Sequence, residues 1–146
     1  MNVEAFVDTD ILVSLYDAAS PEKQRKALAL ADELVRARTG VISSQVLDEF
    51  FVAVTRKISR PLSPREALRR IQSLLNSWRV VGVTPPMVRE AARGVVEHKM
   101  KLWDAQIWAT AKLSEIPVVF SENFPSGRSL EGVQFLNPFL KDFHWS

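Results

Sequence analysis

Oxygen-bearing side chains that could hold a hard cation or move a proton recur along this chain: Asp8, Asp10, Glu49, Asp104, Ser121, Glu122 and Asn123. Asp8 and Asp10 interrupt the apolar run Phe6-Val7-Asp8-Thr9-Asp10-Ile11-Leu12-Val13. A carboxylate at the exit of a buried strand is costly unless a cation or a hydrogen-bond donor meets it. Taken alone, Asp8 reads as a helix N-cap, a role Asp favours. Glu49 falls about 60° from Val46 on a helical wheel, at the border of an apolar stripe of Val46, Leu47, Phe50, Phe51 and Val54. Asp104 lies in the first turn of another helix, where it complements the helix dipole. Each residue has an ordinary explanation by itself, so the case rests on where the elements bring them.

Short apolar and β-branched runs at 3–7, 41–42, 79–83, 117–120 and 133–136 predict strands. Helices are expected over 11–16, from Ser20-Pro21 to Thr39-Gly40, from Ser43-Ser44 to about 57, and from a capping box at Ser63-Pro64-Arg65-Glu66 to about 78. Two more follow, one opened by Thr84-Pro85 and one over 103–113 that is apolar almost all round, with Trp103 and Trp108 assigned to the core. His98 reads as a surface helix histidine. The segment 127–132 is turn-rich. Alternating strands and helices predict an α/β fold with a mainly parallel sheet and helices on both faces.

In such a sheet ligands bind beyond the carboxyl ends of the strands. Asp8 and Asp10 follow the first strand, Glu49 the second, and Ser121 to Asn123 follow the strand ending at Phe120; Asp104 heads a helix close by. Acids gathered at one edge repel one another and their pKa values rise. A divalent cation removes the conflict, and oxygen-only ligation points to Mg2+ or Mn2+. Such a site can activate water and stabilise a phosphoryl transition state.

Composition narrows the alternatives. The chain of 146 residues fits one domain over 1–146, with 47% hydrophobic and 25% charged residues. Lys plus Arg is 19 and Asp plus Glu is 17, a balance that does not by itself mark a nucleic-acid binder. Cysteine is absent, which excludes disulfides and thiolate sites; two histidines, His98 and His144, leave little for a zinc site or a Ser-His-Asp triad. The five glycines are scattered, so there is no phosphate-binding glycine loop. No run approaches the roughly 18 apolar residues of a membrane span, and no secretory signal opens the chain, so a cytoplasmic setting is expected.

The segments Phe6-Val7-Asp8-Thr9-Asp10-Ile11-Leu12, Ser43-Ser44-Gln45-Val46-Leu47-Asp48-Glu49-Phe50, Leu102-Trp103-Asp104-Ala105-Gln106-Ile107 and Phe120-Ser121-Glu122-Asn123-Phe124, in that order, together with the tail from Leu130 to Phe139, resemble PIN-domain ribonucleases, above all the VapC-like toxins of toxin–antitoxin pairs. The resemblance implies a three-layer α/β/α sandwich and a Mg2+- or Mn2+-dependent endoribonuclease. It implies catalytic and metal-holding roles for Asp8, Glu49 and Asp104, with Ser121 in support. Glu49 would orient the attacking water. It further implies RNA as substrate, a cognate antitoxin and a homodimer. The basic residues Arg56, Lys57, Arg60, Lys99 and Lys101 would steer the RNA backbone.

Two positions depart from the family pattern. Asn123 stands where an acid is usual, and Asp10 where Asn or Ser is usual. The expectation is that Asp10 or Glu122 restores the missing charge. The alternative is a catalytically weak PIN module that binds RNA or a protein. An unrelated phosphatase, suggested only by Asp8-x-Asp10, ranks below both.

Overall fold

The computed structural model describes residues 3–145. Six strands form one sheet in the order β3-β2-β1-β4-β6-β5. These are β1 (Ala5–Val7), β2 (Gly40–Ser43), β3 (Arg79–Val81), β4 (Val118–Phe120), β5 (Ser129–Leu130) and β6 (Val133–Leu136). Every pairing is parallel except that of β5 with β6. All residues of β1, β2 and β4 are buried. A strand buried on both faces has helices above and below it, which is the three-layer α/β architecture expected.

Among the described residues six helices supply those layers: α1 (Thr9–Ser14), α2 (Pro21–Ala37), α3 (Ser44–Arg56), α4 (Pro64–Ser77), α5 (Pro85–His98) and α6 (Leu102–Leu113). Their starts follow the local chemistry. Ser63 and Glu66 close a reciprocal capping box, and Ser43 Oγ accepts from Val46 N–H at 3.2 Å. Ser20 makes no such bond; Pro21 alone sets the start of α2.

The first strand is shorter than the sequence predicts, because its pairing begins at Ala5 rather than residue 3. The third ends at Val81; beyond it Val83 N–H turns to Ser44 Oγ at 3.1 Å. The turn-rich segment holds the short strand β5, which sequence reasoning missed because two residues carry no periodicity.

Trp108 fixes α6 in place. It is fully buried, and its indole N–H donates to Leu130 O at 3.1 Å. Arg93 and Lys112 lie over its ring and share the carboxylates of Glu90 and Glu131. His98 is bonded to Glu131 and meets Trp108 edge to face, so it belongs to this clamp. The arrangement ties α5, α6 and the β5–β6 turn together.

Candidate active site

Register brings the first acids together. Val7 pairs with Phe120, and Asp8 N–H continues the ladder to Phe120 O at 3.0 Å. Asp8 is therefore beside Ser121, whose Oγ donates to Asp8 Oδ2 at 2.7 Å. Asp8 Oδ1 accepts from Thr9 N–H at 2.7 Å, so the residue is also the N-cap of α1. The cap and a site role coexist, since capping uses one oxygen.

Asp10 turns to the same place. Its Oδ2 accepts from Glu122 N–H at 2.9 Å and lies 3.4 Å from Ser121 Oγ, whose one proton goes to Asp8. Its Oδ1 is buried without a hydrogen-bond partner. Ser121 Oγ in turn accepts from Asn123 N–H at 3.0 Å, so one hydroxyl joins Asp8 to the turn. Glu49 is held towards them by Thr9, whose hydroxyl donates to Oε1 at 2.8 Å. Asp104, half-buried, completes the set from the first turn of α6.

Burial is the main electrostatic fact. It pushes the Asp8 carboxyl up to about 6 against the pull of its Ser121 and Thr9 donors, and the charges of Glu49 and Asp104 add to the rise. Asp10 is pushed up to about 8, by burial first and then by Asp8. Burial also raises Asp104, with Lys101 opposing. The acids face one groove of about 980 Å³, walled on one side by apolar residues including Val83, Val88 and Ile107.

A divalent cation fits this donor set in one respect and is not caged by it in another. All donors are oxygen, the acids raise one another, and a buried carboxylate oxygen lacks a partner. Yet among the described residues no three His, Cys, Asp or Glu side chains converge as a preformed ion site. That combination suits an ion held by one or two carboxylates and its own waters, as Mg2+ usually is.

The model of the PIN domain matches residues 5–124. The chain belongs to the PIN domain family. Solved PIN-like structures overlay it closely: a toxin–antitoxin complex from Klebsiella pneumoniae at 21% identity and TM-score 0.66, covering 92% of this chain and 98% of that one. VapC20 of Mycobacterium tuberculosis, described as a sarcin–ricin loop cleaving toxin, matches at 22% identity and TM-score 0.66, covering 88% and 98%. FitAB bound to an IR36 DNA fragment matches at 20% identity and TM-score 0.70, covering 97% and 99%. At these identities the likeness is one of fold. No curated protein matches the sequence.

Within the PIN fold the other candidates divide. Glu122 is paired with Lys23 of α2 at 2.7 Å, so its carboxylate is engaged away from Asp8. Asn123 is exposed and lines the groove, as does Lys57. Arg56, Arg60 and Lys99 are exposed outside the groove lining. Trp103 corrects the core assignment: it is 64% exposed, whereas Trp108 is buried as expected. The first turn of α6 lines the open groove, so apolar periodicity there does not imply burial. Thr9, Gln45 and Asp48 also belong to the groove and were not singled out; Thr9, between two acids, was the legible one.

The shifts predict a pH profile. The folded pKa values of Asp8 and Asp10 lie above the ordinary aspartate value of 3.8, so the fold holds their protons more tightly than the unfolded chain does. In EDTA, stability should therefore rise as pH falls from about 8 towards about 4. Glu90 and Glu131 act oppositely. Bonds from Arg93 then Lys112, and from His98 then Arg93, hold them down at about 2, so their smaller, solvent-screened support is lost below about 4.5. Melting temperature by circular dichroism should peak in mildly acid buffer. A steady rise from pH 5 to 8 would contradict the buried acid pair.

Proposed function

We propose that this PIN domain is a divalent-metal-dependent endoribonuclease and the toxin of a toxin–antitoxin pair. The observation that carries the reading is the groove whose floor joins Asp8, Glu49 and Asp104 within a PIN fold. That a toxin–antitoxin complex is among the overlaid structures supports an antitoxin partner. The reading extends to a single PIN domain over 1–146 that acts as a homodimer in the cytoplasm. Among the described residues no helix is long and apolar enough to cross a membrane.

Asp8 and Asp104, with Glu49, would hold Mg2+ or Mn2+. When bound, the cation supplies charge stabilisation to the phosphoryl group and lowers the pKa of water. Glu49, kept in place by the Thr9 hydroxyl, orients the attacking water and accepts its proton. Ser121 fixes the rotamer of Asp8, and Asp10 fixes the turn that carries Ser121. Lys57 on the groove wall and Lys101 beside Asp104 attract backbone phosphates, with Arg56, Arg60 and Lys99 adding a broader positive field.

The absence, among the described residues, of a preformed three-carboxylate cage and the amide at Asn123 favour a second reading, a catalytically weak module that binds RNA or protein. Incubation of the purified chain with structured RNAs and Mn2+ separates the two. The ribonuclease reading expects discrete fragments that vanish with EDTA. RNA that is bound but uncut across several substrates would establish the binding module instead.

A further inference from the structure

We propose that Trp103, held in place by Gln45, stacks a nucleobase beside the acidic site, next to the scissile phosphate. The proposal rests on RNA as the substrate. Trp103 is the anomaly that prompts it. The helix behind it is buried from Ala105 to Ala111, yet this indole is 64% exposed in the groove, immediately before Asp104. Its position is not left to chance. Gln45 Nε2, from the first turn of α3, donates to Trp103 O at 3.1 Å and ties the two helix starts together.

That bond also orients the Gln45 amide. A carbonyl accepts only, so the NH2 group must face Trp103 and the amide oxygen must face elsewhere. Gln45 Oε1 is buried and out of a ligand's reach, so Gln45 ties Trp103 in place and does not read the base. A flat, exposed π-surface therefore lies one residue from a candidate catalytic carboxylate.

A nucleobase matches this surface, because its face stacks on an aromatic ring. A phosphodiester placed against Asp8 and Asp104 brings an adjoining base within reach of residue 103. The apolar wall of Val83, Val88 and Leu102 suits a base better than a phosphate.

The test is binding, kept apart from cleavage. Anisotropy of fluorescein-labelled single-stranded RNA is measured with the full chain in EDTA. Trp103→Ala should weaken binding roughly tenfold, the loss expected for one stacked base, while Trp103→Phe stays within about threefold. An abasic nucleotide at the stacked position should cost the wild type the same factor and cost Trp103→Ala nothing further. Unchanged binding by Trp103→Ala, the outcome if Trp103 serves a protein interface, overturns the proposal, as does an equal abasic penalty in both proteins. If the differences appear but Mn2+ yields no fragments, the subsite stands and the ribonuclease reading falls.

Discussion

Asp8→Asn is expected to lower RNA cleavage by about 10³-fold or more without unfolding the protein. Asp8 is 4% exposed and faces the groove between Ser121 and the other acids. The substitution removes the charge while nearly preserving shape. Its hydrogen bonds can be rearranged at small cost. The amide oxygen keeps Thr9 N–H, the amide NH2 donates to Ser121 Oγ, and the freed Ser121 hydroxyl proton turns to Asp10 Oδ2, already 3.4 Å away. Removing a buried charge that is costly above pH 6 should leave metal-free stability at pH 8 unchanged or higher. The two readouts must therefore diverge: activity lost, melting temperature kept. Cleavage within tenfold of wild type would remove Asp8 from the mechanism, and a collapsed melting temperature would make the activity loss uninformative about chemistry.

Much of this site was legible in the residues, because each acid sits at a position that secondary structure fixes. Asp8 had to leave a buried strand, Glu49 had to lie on the flank of the α3 stripe, and Asp104 had to open α6. What stayed hidden depended on long-range pairing. Lys23 and Glu122 are separated by 99 positions, and nothing local in either announces the ion pair. Trp103 was misjudged for a related reason. A helix apolar on every side looks buried throughout, but only the tertiary packing decides which turn lines the open groove. His98 was read as a surface histidine, because Glu131 lies in the turn that hides β5.

The remaining question is which residue carries the charge that Asn123 lacks, and the hydrogen bonds favour Asp10 over Glu122. Glu122 is already neutralised by Lys23. Asp10 spends Oδ2 on the Ser121–Glu122 turn and keeps Oδ1 buried and unpartnered beside Asp8. A carboxylate held like this is retained at a cost that burial and Asp8 both impose, which points to a use for it. Asp10→Asn should therefore weaken Mn2+ binding, followed by calorimetry, and cleavage by about 10- to 100-fold, the range seen when groups supporting a metal site are lost. Glu122→Gln should change either by less than about threefold, as expected for a surface ion pair. Asn123→Asp added to Asp10→Asn restores the acid count at the other position and should recover most of the loss. If Asp10→Asn binds Mn2+ and cuts RNA as the wild type does, the charge at 10 is a capping and turn device, and the site works with three acids and an amide.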